Sequence, residues 1–355
     1  MTEKIRLSDY GFTILQLETR ANCNMKCKFC AYPNRKDKTS TLPEEVCMKV
    51  IDSLDPSDEK LEYLCLSHYN EPLMDERIFR FITYAKQKNL KILLITNGLL
   101  FRTSEMREQL AATEPTYIKI SFQTLNTDTF KARGIEYPFQ EYKKNIYEFL
   151  KLTLDRNCKS QITIDIACNF LTKQKKWMKN TLGLECGDPS VADSIEEIKK
   201  DLFNMLNELK DFDSRFIFDE QKTNEILKNA SVNYLDQTGL QIANNIKLKI
   251  KHFFYGRRLA KFYPVKSGKP CGTRILGIIA DGTIVPCCLS YDDQLAIGNI
   301  KNEPLRSILE KSKPFLKTIK EVGGNKMPEI CRICQGAPTK HGALVLDVIR
   351  KFKKE

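Results

Sequence analysis

Short apolar runs alternate with amphipathic stretches over the first two thirds of the chain. Runs rich in β-branched and aromatic residues predict strands, and apolar residues at three-and-four spacing predict helices between them. The predicted strands cover residues 12–17, 61–66, 91–95, 116–121, 161–168 and 215–218. The predicted helices cover residues 43–54, 75–88, 104–112, 139–155 and 194–209. Six βα units in series predict an α/β fold, a partial (β/α)6 barrel like that of the TIM fold, with its ligand-binding loops at the carboxyl ends of the strands.

The last third of the chain has a different pattern. Apolar runs on both sides of Asp281-Gly282 predict a β-hairpin over residues 274–286, because this dipeptide favours a tight turn. Helical spacing follows around residues 305–319. We therefore divide the chain into a barrel over residues 1–225, a polar connecting segment over residues 226–268 and a smaller C-terminal domain, a hairpin plus helices, over residues 269–355.

Length and composition restrict the class of protein. With 355 residues and 42% hydrophobic content, the chain can bury a sizeable core. No apolar run approaches the roughly 20 residues of a membrane span, and the first residues lack the apolar stretch of a secretory signal. These features predict a cytoplasmic protein without a membrane partner. The net charge of +12 is spread along the chain and mixed with 45 acidic residues, so we expect solvated helix faces and no nucleic-acid partner.

Cysteines carry the most specific signal in the chain. Thirteen is an odd number for a disulfide framework, and cytoplasmic thiols stay reduced, which favours metal binding. Cys23, Cys27 and Cys30 follow the first predicted strand with C-x3-C-x2-C spacing, and three thiolates can hold a four-iron four-sulfur cluster while one iron stays open. A structural zinc site usually has four ligands, and buried core cysteines are rarely grouped so densely, so both alternatives are weaker.

This spacing resembles that of the radical S-adenosylmethionine (SAM) enzymes. The resemblance implies that the amino and carboxylate groups of SAM chelate the open iron of a 4Fe-4S cluster. One electron then cleaves SAM to a 5′-deoxyadenosyl radical, which abstracts a substrate hydrogen atom, so the enzyme would be of the oxidoreductase or isomerase type. It also implies an external one-electron reductant of the flavodoxin or ferredoxin type.

Other loops resemble SAM-binding positions of that family. Asn70 and Glu71 stand where the family has a Gly-Gly-Glu-like motif that binds the SAM amino group, although both glycines are missing here. Arg133, followed by Gly134, resembles the arginine that grips the SAM carboxylate. The remaining candidates lie near the ends of predicted strands and suit the ribose or its surroundings: Thr96, Asn97, Ser121, Gln123 and Asn169.

A second cysteine set resembles the SPASM or Twitch auxiliary-cluster domain. The resemblance implies one auxiliary 4Fe-4S cluster held by Cys271, Cys287, Cys331 and Cys334, with Cys288 as a spare or a substitute. The full SPASM pattern has further cysteines after its C-x2-C pair, and this chain has none beyond Cys334. A zinc ribbon is the open alternative, because such ribbons also present cysteines on two loops.

The substrate is the least specified part of the prediction. The barrel begins close to the start of the chain and the auxiliary set is the reduced one, which together favour a small molecule over a peptide. We predict oxidation or epimerisation at a carbon of a sugar, aminocyclitol or similar metabolite. The alternatives are radical modification of a ribosomally synthesised peptide or protein side chain, and a non-catalytic iron-sulfur or zinc protein.

The reaction type decides which further residues are needed. Oxidation could use the auxiliary cluster as electron acceptor, together with a base such as Asp219 or Glu220 near the sixth predicted strand. Epimerisation needs a hydrogen donor, and a thiol can serve. Cys168 and Cys186 are the candidates for that donor.

Overall fold

The computed structural model of the protein describes residues 4–168, 192, 195–230, 239–252 and 262–352. Over these residues, ten strands form one sheet with the order β10-β9-β8-β1-β2-β3-β4-β5-β7-β6. In chain order, β1 to β10 are Ile14–Leu17, Tyr63–Cys65, Ile92–Thr96, Tyr117–Gln123, Gln161–Cys168, Gly239–Ala243, Ile246–His252, Ile275–Ile278, Thr283–Val285 and Gly298–Asn299.

Helices connect most of the parallel strands. The described α-helices are Glu44–Ser53, Ile78–Gln87, Ser104–Thr113, Thr127–Phe130, Phe139–Asp155, Ile195–Phe212, Glu220–Ala230, Leu305–Lys317, Glu329–Cys334 and Lys340–Phe352. Strands β8, β1 to β5 and β7 run parallel to their neighbours in this part of the sheet. Within the described residues the sheet ends at β10 and β6, so the predicted partial α/β barrel is confirmed. None of the described helices has the length and apolar character needed to cross a membrane.

The two faces of the sheet differ in polarity. Alternate residues such as Ile120, Ile164 and Leu248 are fully buried in the main hydrophobic core. Residues between them, such as Lys119 and Thr163, are half-buried. Since successive side chains of a strand point to opposite faces, these polar residues lie on the inner face of the barrel. We call the space that this face lines the lumen.

The first five strands lie within two residues of their predicted bounds, whereas the sixth prediction is wrong. Residues 215–218 form no strand; the chain turns there, and Asp213 Oδ1 accepts a hydrogen bond from the Arg215 N–H at 3.0 Å. The sixth barrel strand is β7, which pairs in parallel with β5. It lies in the predicted connecting segment, where lysines alternate with apolar residues from Ile246 onward. This period of two is a strand signal that the polar composition of the segment obscured.

The predicted hairpin of the C-terminal region is confirmed, and it extends the barrel sheet. Strands β8 and β9 pair antiparallel, and β8 also pairs in parallel with β1. Gly282 turns the chain with a φ of 93°, and a Cβ there would lie 2.6 Å from Asn299 Oδ1. Backbone hydrogen bonds therefore connect the hairpin that precedes the cysteine-bearing segment to the first barrel strand.

Candidate active site

The three cysteines of the first set lie in the loop that follows β1, which we call the Cys loop (residues 23–30). The Cys23 N–H donates to the hydroxyl oxygen of Tyr32 at 2.9 Å, and the Cys30 N–H donates to the Cys27 carbonyl at 3.1 Å. The Tyr32 N–H donates to Cys30 Sγ at 3.4 Å. All three cysteines are partly exposed. The loop thus has a defined shape and presents three thiols.

The segment around Arg133 supports the Cys loop through its backbone. The Lys28 N–H donates to the Ala132 carbonyl at 2.8 Å, and the Lys26 N–H donates to the Arg133 carbonyl at 3.2 Å. Gly134 has a φ of 64°, and a Cβ there would lie 2.4 Å from the Lys26 carbonyl oxygen. Only glycine allows the two segments to approach so closely in this conformation.

The Arg133 side chain is buried, and its N–H groups donate to acceptors within the protein. Its guanidinium donates to the Ser121 carbonyl at 2.6 Å and to Gln123 Oε1 at 3.1 Å. It also lies against the sulfur of Met25, at 3.1 and 3.3 Å. These contacts connect the end of β4 to the Cys loop. The backbone of Gln123 adopts a φ of 64°, unusual for a residue other than glycine, next to a register shift in β4.

Glu71 joins the loops after β2 and β3. Its carboxylate accepts hydrogen bonds from the Thr96 hydroxyl at 2.7 Å, the Asn97 N–H at 2.7 Å and the Leu73 N–H at 3.2 Å. Burial raises the pKa of Glu71 to about 7, although these hydrogen bonds lower it. A carboxylate offers about four acceptor positions, so Glu71 can accept one further donor such as an ammonium group.

Asn97 extends this network to the Cys loop. Its Nδ2 donates to Asn24 Oδ1 at 2.7 Å and lies 3.8 Å from Cys23 Sγ. Burial, and then the nearby Glu71 carboxylate, raise the pKa of Cys23 to about 12. The bare Cys23 thiol is therefore neutral near pH 7, and iron binding must displace its proton.

Three buried side-chain amide atoms in these loops have no hydrogen-bond partner among the described residues. They are Asn22 Oδ1, Asn24 Nδ2 and Asn70 Nδ2. A buried polar atom without a partner costs about 1–3 kcal/mol. A polar ligand bound between the Cys loop and the loop after β2 would satisfy them, and the ammonium, carboxylate and hydroxyl groups of SAM have the required chemistry. The residues present fit SAM beside a cluster with three cysteine ligands.

Four cysteines of the second set line a small pocket. Its lining includes Cys271, Cys287, Cys331 and Cys334 together with apolar residues, among them Leu295 and Ile319. Four sulfurs facing an apolar pocket fit a buried iron-sulfur cluster. No three described Cys, His, Asp or Glu side chains stand close enough together to hold a single metal ion.

Cys288 is not among the lining residues, whereas Cys287 is. The Cys288 thiol, and then the Leu289 N–H, hold the pKa of Cys287 below its usual range against the effect of burial.

A buried ion pair that we did not predict connects the two cysteine regions. Arg35, just after the Cys loop, donates to both carboxylate oxygens of Glu18 at 2.6 and 2.9 Å. Their side chains are 1% and 0% exposed. Glu18 also accepts the Ala280 N–H from the β8–β9 turn at 3.1 Å and the Tyr69 N–H from the loop after β2 at 3.2 Å. An acid directly after an apolar strand was the available sequence signal.

Two aromatic residues of the loop after β2 also join the regions. His68 Nε2 lies 2.9 Å from the Ser290 carbonyl, and burial lowers its pKa. The neutral ring therefore donates from Nε2. The Tyr69 ring packs edge-on against Tyr291, with 5.8 Å between ring centroids. Burial, and then the neighbouring Cys288 and Cys30 thiols, raise the pKa of Tyr69.

Several predicted residues lie away from this assembly. Cys168 is fully buried in the main hydrophobic core, because it faces the helices and not the lumen. Asp219 and Glu220 are exposed, and Asp219 Oδ1 accepts the Lys222 N–H at 2.8 Å as a cap of the helix Glu220–Ala230. Asn169 and Cys186 lie outside the described residues.

Comparisons with known proteins agree with this geometry. The family model described as "Radical SAM superfamily" matches residues 17–166, and the SPASM model, described as "Iron-sulfur cluster-binding domain", matches residues 270–335. No curated protein sequence matches.

Solved structures with a similar fold include SuiB of Streptococcus suis bound to precursor peptide SuiA. Its TM-score is 0.53 at 14% identity, covering 91% of this chain and 72% of SuiB. BtrN in complex with AdoMet and 2-DOIA has a TM-score of 0.44 at 13% identity, covering 90% of this chain and 89% of BtrN. Native anSMEcpe with bound AdoMet has a TM-score of 0.46 at 16% identity, covering 96% of this chain and 100% of that protein. At such identities the likeness concerns the fold alone.

The partial barrel and the two matched domains define an iron-sulfur enzyme that uses SAM. The chain belongs to the radical SAM superfamily and carries a SPASM domain in its C-terminal region. Membership implies a SAM-binding 4Fe-4S cluster and auxiliary iron-sulfur binding.

Proposed function

We propose that this radical SAM enzyme oxidises a carbon of a sugar, aminocyclitol or similar small polar metabolite. The observation that carries the proposal is a cavity of about 410 Å³ on the side of the sheet where β2, β4 and β5 begin. Polar residues such as Gln161 and Thr163 line it together with the apolar Leu93, Ile118 and Ile162. This volume lies within the range of about 300–1,000 Å³ that is usual for small-molecule sites. When bound, SAM and its reduced cluster supply the radical that removes a substrate hydrogen atom, and an auxiliary cluster supplies an acceptor for the remaining electron.

The residues have separate roles in this proposal. Cys23, Cys27 and Cys30 hold the SAM-binding cluster, while Glu71 and Asn70 face the SAM amino group. Thr96 and Asn97 hold the Glu71 carboxylate in place through hydrogen bonds of 2.7 Å each.

Arg133 takes a positioning role. Its donors reach Ser121, Gln123 and Met25, so it fixes the Cys loop against β4. We therefore assign it to the shape of the loop, in place of a grip on the SAM carboxylate. Asn169 stays a predicted neighbour of SAM.

Cys271, Cys287, Cys331 and Cys334 hold one auxiliary cluster, and Cys288, which does not line the pocket, stays a spare ligand. The lining of their pocket is mostly apolar. Oxidation is favoured over epimerisation because Cys168, one of the two proposed hydrogen donors, is buried in the core away from the lumen. Cys186 remains the proposed donor for an epimerase.

The primary test is release of 5′-deoxyadenosine from SAM by the reconstituted, reduced protein under anaerobic conditions. The wild type should cleave SAM, and a Cys30→Ala variant should not. If neither protein releases 5′-deoxyadenosine when given metabolite or peptide fractions, the proposal fails. Zinc bound without iron would favour the non-catalytic alternative.

Two further readouts separate the finer possibilities. Turnover in D₂O distinguishes the reactions, because an epimerised product gains solvent deuterium at the reacting carbon and an oxidised product loses hydrogen there. Stimulation of SAM cleavage by a peptide fraction, and not by small metabolites, would favour peptide modification, the activity class suggested by the peptide bound to SuiB.

A further inference from the structure

The C-terminal helix Lys340–Phe352 has an exposed apolar face. Leu344 and Val348, one turn apart on this helix, are 57% and 52% exposed. Tyr263 is 42% exposed, and Lys340 Nζ lies 5.8 Å from the centre of its ring. Six large apolar side chains of the described residues are exposed, and three of them are these. Apolar side chains exposed together on one surface mark an interaction site.

The opposite side of the helix is fixed to the protein. Ala343 packs with Val265 in a small buried apolar cluster. The buried Asp347 carboxylate accepts the N–H groups of Lys266 and Ser267 at 2.8 and 2.7 Å. The exposed side is therefore part of a folded surface and not of a free amphipathic segment, which favours a protein partner over a membrane.

Basic residues accompany the apolar face. Residues 262–270 and 331–352 hydrogen-bond to each other through their backbones, and together they contain a single acid, the buried Asp347. The Lys and Arg residues of the same two segments are Lys266, Lys269, Arg332, Lys340, Arg350 and Lys351. All four lysines are exposed. An apolar centre beside a positive rim is complementary to an acidic protein.

This surface adjoins the pocket of the second cysteine set. Gln335, directly after Cys334, lines that pocket. Its carbonyl accepts a hydrogen bond from the Arg350 guanidinium at 2.9 Å, and its side chain exchanges hydrogen bonds with the Lys269 backbone at 2.8 and 2.7 Å. An α-helix with its side chains is about 10 Å wide, so a partner on the exposed side of the C-terminal helix would be about one helix width from this wall of the pocket.

The proposed oxidation leaves one electron to be removed in each turnover. The substrate gives a hydrogen atom from its C–H bond to the radical, and then a proton from its hydroxyl group to solvent, as a carbon–oxygen double bond forms. The remaining electron passes to the auxiliary cluster. A further turnover requires an oxidised one-electron carrier that takes this electron from the protein.

We propose that the face formed by Tyr263, Leu344 and Val348, with its lysine rim, docks an acidic one-electron carrier protein of the ferredoxin type. The carrier is reduced as the auxiliary cluster is reoxidised. This inference rests on the proposed oxidation and adds the partner that completes it. The lysines attract the acidic carrier, and the apolar side chains provide the contact that holds it beside the pocket.

The first test is binding of an acidic plant-type [2Fe-2S] ferredoxin to the reconstituted full-length protein, measured by isothermal titration calorimetry. Basic cytochrome c, also a small one-electron carrier, is the comparison and should bind at least about tenfold more weakly at low ionic strength. Ferredoxin affinity should fall as salt is added. Lys340→Glu/Lys351→Glu should weaken ferredoxin binding by about tenfold or more, and Leu344→Ser should weaken it without changing its salt dependence.

A matched control separates the site from the overall charge. Lys60→Glu/Lys91→Glu reverses two exposed lysines just before β2 and β3, and it should leave ferredoxin binding within about twofold. Lys340→Arg/Lys351→Arg should keep most of the binding, and circular dichroism should show the same fold for all variants.

The second test follows the electron. In Cys30→Ala, which keeps the auxiliary cysteines, the dithionite-reduced protein freed of dithionite should reduce oxidised ferredoxin. Adding Lys340→Glu/Lys351→Glu should slow this transfer by about tenfold or more at low ionic strength. The rate is followed by the visible absorbance of ferredoxin.

Four results would overturn the proposal. They are equal binding of ferredoxin and cytochrome c, equal losses in both pairs of glutamate variants, self-association of the protein that Leu344→Ser abolishes, and binding to phosphatidylglycerol vesicles in place of ferredoxin. SAM cleavage driven by dithionite tests the proposed function separately. Cleavage without ferredoxin-specific binding rejects the docking face alone, and binding without cleavage rejects the proposed function.

Discussion

The Cys loop follows β1, and the second cysteine set belongs to the region whose hairpin pairs with β1, yet the surroundings of the two cysteine sets differ. Most cysteines are partly exposed in both regions, but the three thiols of the Cys loop lie beside buried amide atoms that lack partners among the described residues. The second pocket has four cysteines and an apolar lining that includes Leu295 and Ile319, with Met327 packed in the same cluster. Three ligands with unsatisfied polar neighbours suit a cluster that binds a further molecule. Four ligands in an apolar pocket suit a closed cluster that only carries electrons.

The largest expected effect comes from removing one cysteine from each region. Cys30→Ala should reduce SAM cleavage by more than about 100-fold, since losing even an outer partner of a metal ligand costs about 10- to 100-fold. Cys334→Ala should keep SAM cleavage while substrate oxidation is lost. In each variant iron content should fall from about eight to about four per chain. Cys158→Ala, which removes a thiol that donates to the Ala111 carbonyl, is the control and should change neither measurement. Equal loss of SAM cleavage in both site variants would contradict the division of roles.

The second prediction tests the buried ion pair that connects the regions. Glu18→Gln or Arg35→Met should each lower the free energy of unfolding by about 3–5 kcal/mol, because each leaves a buried charge or its partners unsatisfied. The double variant Glu18→Leu/Arg35→Met should recover part of this loss. Denaturant unfolding of the four proteins measures it. Losses below about 1 kcal/mol in both single variants would show that the pair does not stabilise the junction.

A pair of glycine substitutions compares how tightly each region is packed. Gly134→Ala requires a strained φ and a clash with the Lys26 carbonyl, and it should cost about 1–3 kcal/mol and weaken SAM binding. Gly272, next to Cys271, has no atom within 4 Å of the position that a Cβ would occupy, so Gly272→Ala should be close to neutral. Thermal unfolding and SAM titration of both variants provide the comparison. Similar destabilisation by the two alanines would refute the close contact at the Cys loop.

The smallest effect is the pH dependence of the Cys loop region. The pKa of Glu71 is raised to about 7, so its carboxyl is mostly protonated at about pH 6 and ionised at about pH 8. If the ionised form binds the SAM amino group, SAM affinity should rise about tenfold over this range more in the wild type than in Glu71→Gln. The amino group of SAM titrates in both proteins, so their difference reports Glu71. Parallel pH profiles would remove Glu71 from the SAM site.

The raised pKa of Glu71 also makes the stability of the folded protein depend on pH, in the opposite direction to SAM affinity. The unfolded chain ionises Glu71 at its ordinary, lower pKa, and the folded protein prefers the protonated form. Stability from this group is therefore fully present below the ordinary pKa and is lost as pH rises toward about 7. Without SAM, the wild type should lose more stability over this range than Glu71→Gln.

Local sequence patterns determined much of the fold of this protein and the position of its cysteine sites. The C-x3-C-x2-C spacing, the Asp281-Gly282 hairpin and the first five strands could be read because each signal lies within a few consecutive residues. The spacing of the cysteines also sufficed to identify the domain class. The lysine alternation in β7 is equally local, but the polar composition of the surrounding segment obscures it.

Only the tertiary structure decided how distant residues meet. Glu18 joins Arg35, Tyr69 and the β8–β9 turn, and the turn residue Ala280 is 262 positions away from Glu18 in the chain. The direction in which Cys168 faces depends on the register of β5 in the sheet, and the contacts of Arg133 depend on where its segment meets the Cys loop. Sequence spacing cannot supply these results, since burial, register and the choice of partner arise from packing the whole chain into one sheet.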